Sequence, residues 1–284
     1  MGVPVFEKIL FPTDFSAHAQ AELDCLSGFP HVREIHLLHV VREFPIPVIE
    51  RLATKVTKEY LEEAKRYLES LNPAITVTLD VTTARDIAGA ILDAAGATGA
   101  DLIVISGYAT SYRAGILLGR VPATVLCRIS RTNVLVMPNR LIDSLQGKTY
   151  SKFCRNIFAK VLCPTDFSEF SQKAIACAGA AGGVKEILLL HVIPDTAKDP
   201  TPDPKTRLHR IRETLPHRKV KVRTILKSGD PAPGIARVAG EEDVSLIWMS
   251  VEGKGCLHEF LAGSIVQDVV TTGKRPVLVM RSVE

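Results

Sequence analysis

The stretch Gly253-Lys-Gly-Cys-Leu-His-Glu-Phe-Leu-Ala-Gly-Ser264 holds the spacing best suited to chemistry in this chain. It follows an apolar run, Val244 to Met249, and precedes a helical run, Ile265 to Thr271. A glycine-rich crossing from strand to helix presents bare main-chain N–H groups and the positive end of a helix, and both suit phosphate. Ser264 adds a hydroxyl at that helix mouth. A plain turn would use the same residues, so the stretch gains meaning only from its surroundings. Lys254 is not part of a G-x-x-x-x-G-K-[ST] run, which disfavours a P-loop ATPase. His258 and Glu259 read as a solvated loop face, and Cys256 as an ordinary loop thiol. No Ser/His/Asp or Cys/His grouping supplies an evident general base, so no residue is nominated as catalytic or as a metal ligand.

The elements around this loop come in two copies. Pro12-Thr-Asp-Phe-Ser16 recurs as Pro164-Thr-Asp-Phe-Ser168, an offset of 152 residues. At that offset Cys25 matches Cys177, and Leu37-Leu-His-Val40 matches Leu189-Leu-His-Val192. Farther on the offset is 144, where Ser106 matches Ser250 and Gly119 matches Gly263. The terminal runs Asn133–Met137 and Pro276–Met280 also agree. Agreement in separate segments at so long a period marks a duplicated domain rather than a solenoid. The reading is domain 1 over 1–140, a linker over 141–156 and domain 2 over 157–284.

The first copy reads βαβαβαβαβ. Short apolar runs at Lys8–Phe11, Glu34–Val40, Ile75–Val81, Asp101–Ser106 and Asn133–Met137 are strands. Ser16 is placed to cap a helix over Ala17–Leu26. Pro47–Leu71 is a long amphipathic helix, with Leu52, Val56, Tyr60, Leu61, Ala64 and Leu68 at helical spacing. Ile87–Ala97 is a small-residue helix, and Gly115–Ile129 holds the last one. In the second copy Pro194–Thr206 carries four prolines and reads as a loop, followed by a short helix over Lys205–Leu215. Strands apolar on both faces and alternating with helices imply an α/β fold, with a parallel sheet covered on both sides.

Composition bounds the function. The 284 residues carry a net charge of only +4, with no basic stripe, which argues against a nucleic-acid binder. The densest basic run, His217–Arg223, alternates with apolar residues like one strand face. No apolar run is long enough to span a membrane and no signal-peptide pattern stands at the N-terminus, so a cytoplasmic location is expected. The six cysteines form no C-x-x-C pair, and the expectation is buried free thiols.

Open α/β sheets bind ligands at the carboxyl ends of their strands, where strand order reverses. Asp14 and Asp166 follow the first strand of each copy, Val40 and Val192 end the second, and the glycine loops follow the fourth. A short acid there can hold a ribose hydroxyl, and a main-chain edge can read adenine. Asp14 and Asp166 can equally cap the following helix, which needs a different orientation. His39 and His191, inside apolar strands, read as satisfied core histidines.

The segments Lys-Ile-Leu-Phe-Pro-Thr-Asp-Phe-Ser and Leu-Leu-His-Val, with a terminal Pro-Val-Leu-Val, resemble the universal stress protein family, and both copies share the likeness. The resemblance implies two tandem flavodoxin-like (Rossmann-like) domains, each a five-stranded parallel sheet with helices on both faces. It implies an adenine nucleotide, ATP or AMP, with or without Mg2+, although a branch of the family binds none. Members pair through the last strand, so an internal pseudo-dimer or a homodimer is expected, besides an unidentified protein partner.

Carried over by position, Pro164 and Asp166 contact adenosine, and the backbone of Val192 reads adenine. Gly229-Asp-Pro231 borders the base, and Gly253 with Gly263-Ser264 forms the phosphate loop. Ser250 stands where the family's first loop glycine is expected, and its Cβ threatens the ribose or the turn. The first copy keeps Pro12, Asp14, Val40 and Gly119. It has Ser106 and Ala109 for two loop glycines, Arg120 for the Ser/Thr, and Arg85-Asp-Ile87 for the Gly-x-Pro turn. Arg120 either meets phosphate or fills the pocket. The sequence thus favours a nucleotide-binding stress-response regulator with its site mainly in domain 2. A ligand-free interaction scaffold and a slow Mg-dependent ATP hydrolase are the alternatives.

Overall fold

The computed structural model describes residues 6–43, 47–107, 118–129, 131–138, 141, 148–195, 203–216, 220–251 and 265–281. The chain divides into two compact units, one running from Val5 to Arg155 and the other built mainly from Asn156 to Glu284.

In the first unit the elements are β1 (Lys8–Pro12), α1 (Ala17–Leu26), β2 (Glu34–Arg42), α2 (Pro47–Leu71), β3 (Thr76–Ala84), α3 (Ile87–Thr98), β4 (Leu102–Ser106), α4 (Arg120–Arg128), β5 (Asn133–Met137) and α5 (Lys148–Cys154). The strands are parallel in the order β3-β2-β1-β4-β5. The two inner strands beside the reversal, β1 and β4, are almost wholly apolar because helices cover both of their faces: Ile9 to Phe11 and Leu102 to Ile105 are buried. α1 packs against α2 and β4, and α3 against α4, β1 and β2.

The second unit repeats the plan with β6 (Lys160–Pro164), α6 (Glu169–Ala180), β7 (Glu186–Ile193), α7 (Pro204–Glu213), β8 (Lys221–Ser228), α8 (Pro231–Glu241), β9 (Leu246–Val251), α9 (Ile265–Thr272) and β10 (Val277–Arg281). Its order is β8-β7-β6-β9-β10, again parallel. Trp248 on β9 is the largest fully buried side chain.

Three sequence expectations are corrected. On α2, Leu61, Ala64 and Leu68 are buried, but Leu52, Val56 and Tyr60 are 65%, 45% and 54% exposed. At about 100° per residue, Leu52 lies roughly 180° from Leu61, Val56 about 140° and Tyr60 about 100°. A row spaced by four drifts off the buried face. The second correction concerns α7, which begins at Pro204, inside the stretch read as loop. Proline suits the first helical turn, and the Asp203 side chain accepts from the Thr206 N–H at 3.2 Å. The third is a disulfide between Cys25 and Cys154, where free thiols were expected. Cys127, Cys163 and Cys177 remain free. The disulfide lies between α1 and α5, so the segment read as a linker contains a helix held on the first unit.

Candidate functional site

β1 pairs with β2 along its whole length but with β4 only at Ile9 and Leu10. β6 pairs with β7 along its whole length but with β9 only at Val161 and Leu162. In each unit the two inner strands therefore part toward their carboxyl ends, at the point where the chain order reverses. That parting is where an open α/β sheet accepts a ligand.

The Pro-Thr-Asp-Phe-Ser turn lines one side of the parting. Thr13 and Thr165 extend the ladder by one bond, their N–H groups donating to Leu38 and Leu190 carbonyls at 2.9 and 2.8 Å. Two residues later Phe15 and Phe167 take φ values of 60° and 67°, a left-handed backbone that is costly for a bulky side chain. Three contacts hold each of them there. The threonine hydroxyls accept from the Phe15 and Phe167 N–H groups at 3.1 and 2.9 Å. Asp14 and Asp166 accept from the Ser16 and Ser168 N–H groups, both at 2.9 Å. The phenyl rings lie 4.7 and 4.3 Å from the imidazoles of His39 and His191.

The two uses anticipated for the aspartates are now separable. The helix caps are the serines: Ser16 and Ser168 hydroxyls accept from Ala19 and Ser171 N–H groups, both at 3.2 Å. The aspartates close the turn before the cap, and both side chains are exposed at the parting. For Asp166, partial burial works against the charge, but hydrogen bonding from Ser168 and Ser171 prevails and holds the carboxyl below its ordinary range. Pro12 and Pro164 end their strands beside these turns, half-buried.

His39 and His191 are half-buried, and Nδ1 of each lies 2.7 or 2.8 Å from the carbonyl of Thr13 or Thr165. A carbonyl only accepts, so Nδ1 carries the hydrogen in both. Each histidine ties the strand β2 or β7 to its turn, which is a positioning role.

Main-chain parity places Val40 and Val192. In a parallel strand, alternate residues direct their N–H and C=O to opposite neighbours. Leu190 faces β6, since its carbonyl accepts from Thr165, and Ile193 faces β8, since its carbonyl accepts from Gly229 at 3.0 Å. Val192 shares the parity of Leu190, so its amide edge points to the β6 side, past the last residue of β6. Val40 stands two residues after Leu38 and has the same geometry. A purine edge in that position would find a donor and an acceptor.

Gly229 has φ 124° and no heavy atom within 4 Å of where a Cβ would stand, so its requirement is conformational rather than spatial. Asp230 and Pro231 then open α8. The first unit closes the same corner differently. Asp86 accepts from the Gly89 N–H at 3.1 Å and pairs with Arg128, while Arg85 pairs with Glu43.

Ser106 and Ser250 lie in strands, paired with Met137 and Met280, and neither has a positive φ. A Cβ at these positions therefore does not strain the backbone, which removes half of the objection raised by the sequence. In the first unit the Gly119 N–H donates to the Gly107 carbonyl at 3.1 Å, so the loop after β4 is closed at its base. Arg120 is the exposed first residue of α4. Gly253, Gly263, Ser264 and Ala109 lie outside the described residues, as do Lys254, Cys256, His258 and Glu259.

One residue was not anticipated. Glu22 on α1 is fully buried. Burial pushes its pKa well above the carboxylate range, the Ser106 hydroxyl opposes this in part, and the Asp14 charge adds to it. A charged residue set among Ala19, Leu23, Cys25 and Leu26 was the available signal, because those positions form the buried face of α1. Among the described residues no group of three or more His, Cys, Asp or Glu could hold a metal ion.

Comparison with known proteins gives a consistent result. Residues 6–138 and 158–281 each match the Universal stress protein family. A universal stress protein of Methanocaldococcus jannaschii is 28% identical over 155 residues, 44% of this chain and 96% of that protein. The crystal structure of a universal stress protein from Archaeoglobus fulgidus superposes with a TM-score of 0.76 at 22% identity, covering 98% of both chains. A putative universal stress protein from Pseudomonas aeruginosa gives 0.59 at 15% identity, covering 98% of this chain and 94% of that one. With the family matched over both halves, this chain belongs to the universal stress protein family as a tandem member.

Proposed function

We propose that the protein is a stress-response regulator that binds an adenine nucleotide, ATP or AMP, mainly in its second unit. The observation that carries the reading is the parting of β6 from β9 with the amide edge of Val192 directed into it. Asp166 is exposed at the same parting, where a ribose would lie, and Gly229-Asp-Pro231 turns beside the end of β7 that carries Val192. Gly253, Gly263 and Ser264 complete the proposal as the phosphate loop, and any Mg2+ would arrive with the phosphates. In the first unit Pro12, Asp14 and Val40 keep the same frame. There Ser106 and Ala109 stand for two loop glycines and Arg120 follows Gly119 in place of Ser or Thr, so that unit is assigned the weaker role. No helix among the described residues is long and apolar enough to cross a membrane, and a cytoplasmic location is proposed with the regulatory role.

Calorimetric titration with ATP, ADP and AMP, alongside native mass spectrometry, tests this reading. One nucleotide per chain is expected, and Gly263→Val should abolish the heat while leaving the circular dichroism unchanged. No heat from any nucleotide would replace the reading by a ligand-free scaffold.

A further inference from the structure

The chain after β5 is fastened to the first unit. α5 packs on α1, and a disulfide joins Cys154 to Cys25 across 129 residues. Both sulfur-bearing residues are fully buried. Tyr150, one turn before Cys154, is also buried, with its hydroxyl 3.6 Å from Cys25 Sγ. A disulfide sulfur carries no hydrogen, so the hydroxyl is the donor. Glu22 lies one turn before Cys25 on α1. Burial, then the Glu22 and Asp24 charges, push the Tyr150 phenol upward. Disulfide and phenol thus form one buried cluster, one helical turn along α1 from the buried carboxyl of Glu22. Among the described residues the second unit has no such cluster. Ala174 stands at the position of Glu22, and Cys177, at that of Cys25, is a half-buried free thiol.

We propose that Cys25–Cys154 is a reversible redox site for dithiol reductants, and that its oxidised form keeps α5 docked over Glu22. A thiolate of the dithiol attacks one sulfur, forming a mixed disulfide and releasing the other cysteine as a thiolate. The second thiol then closes a cyclic disulfide on the reductant and releases the remaining cysteine. Two electrons pass to the protein, and both cysteines end as thiols with protons taken from the reductant and solvent. Neither sulfur is exposed, so attack must follow opening of α5. A helix of seven residues has little stability of its own, and its docking depends on the crosslink and on Tyr150. Once reduced, α5 can lift, and water reaches the buried carboxyl of Glu22. Cys163 does not compete, since it is fully buried in β6 and burial raises its thiol pKa.

The test is alkylation of air-purified protein, denatured with and without prior reduction. Of the six cysteines, Cys25 and Cys154 should escape labelling until reductant is added. Dithiothreitol on the folded protein should then make both reactive, and oxidised glutathione should restore the crosslink. Hydrogen exchange over residues 148–154 should rise about tenfold or more on reduction, while 102–106 stays protected. Cys154→Ser should show the reduced exchange pattern without any reductant. The proposal falls if both cysteines label before reduction. It falls equally if the crosslink resists dithiothreitol until the protein is denatured, since it is then a permanent staple. Unchanged exchange in the reduced protein and in Cys154→Ser would also overturn it.

Discussion

Glu22 and Gly229 are the residues at which the two copies differ most in physical terms. Between the unfolded carboxyl pKa, about 4.3, and the raised folded value, native Glu22 keeps a proton that the unfolded chain has lost. Its contribution to stability is therefore full at low pH and is lost as pH rises through the folded value. Within that window the slope is about 1.4 kcal/mol per pH unit for one proton. Glu22→Gln has no such slope, so it should gain on the wild type as pH rises. Urea midpoints of both proteins at pH 5 and pH 8 measure this, and a constant difference would mean that the carboxyl is hydrated. At Gly229 the cost of a side chain is pure backbone strain. Gly229→Ala should lower stability by roughly 1–2 kcal/mol with an unchanged denaturant slope. A neutral result would show that the corner relaxes freely.

At the scale of elements, the approach of α8 to β7 sets the position of Val192. A Cβ on Gly234 would meet both Val192 methyl groups at 3.3 Å, so the glycine allows the close approach. Gly234→Val should displace the strand end and cost about 1–3 kcal/mol by overpacking. It should weaken nucleotide binding in the same calorimetric titration, whereas Pro233→Ala, at an exposed position of α8, should not. Much of this level was legible in the sequence. The Pro-Thr-Asp-Phe-Ser repeat marks both turns, Ser16 reads as a cap, and apolar runs flanked by helices demand a covered parallel sheet. What was not legible depends on tertiary partners. The row Leu52, Val56, Tyr60 has a helical period but the wrong phase for the buried face of α2. Asp14 reads as either cap or ligand until the neighbouring serine is seen to do the capping. The proximity of Cys25 to Cys154 follows from where α5 docks, and no local pattern encodes that.

For the molecule as a whole, duplication has produced two copies of one frame with separate specialisations. The second unit has Gly229 at the corner where the first has Arg85, and the first, which carries the Cys25–Cys154 crosslink, has Glu22 where the second has Ala174. The chain-entropy effect of closing a loop of 129 residues is roughly 5 kcal/mol, an upper figure because native strain and residual structure reduce it. Cys154→Ser should therefore unfold at lower urea than the oxidised wild type, and reduction of the wild type should remove most of that difference. Identical midpoints would show that the unfolded chain is already compact there. The same bond also makes the first unit a covalent ring from residue 25 to residue 154. A protease that cuts once anywhere within that ring opens the circle without releasing a fragment. The nicked protein would keep its mass on a non-reducing gel, save for one added water, and would part into pieces only when a reductant is present. In the oxidised state the unit is thus protected from losing its pieces by a single cut, a protection that the second unit, lacking such a ring, does not share.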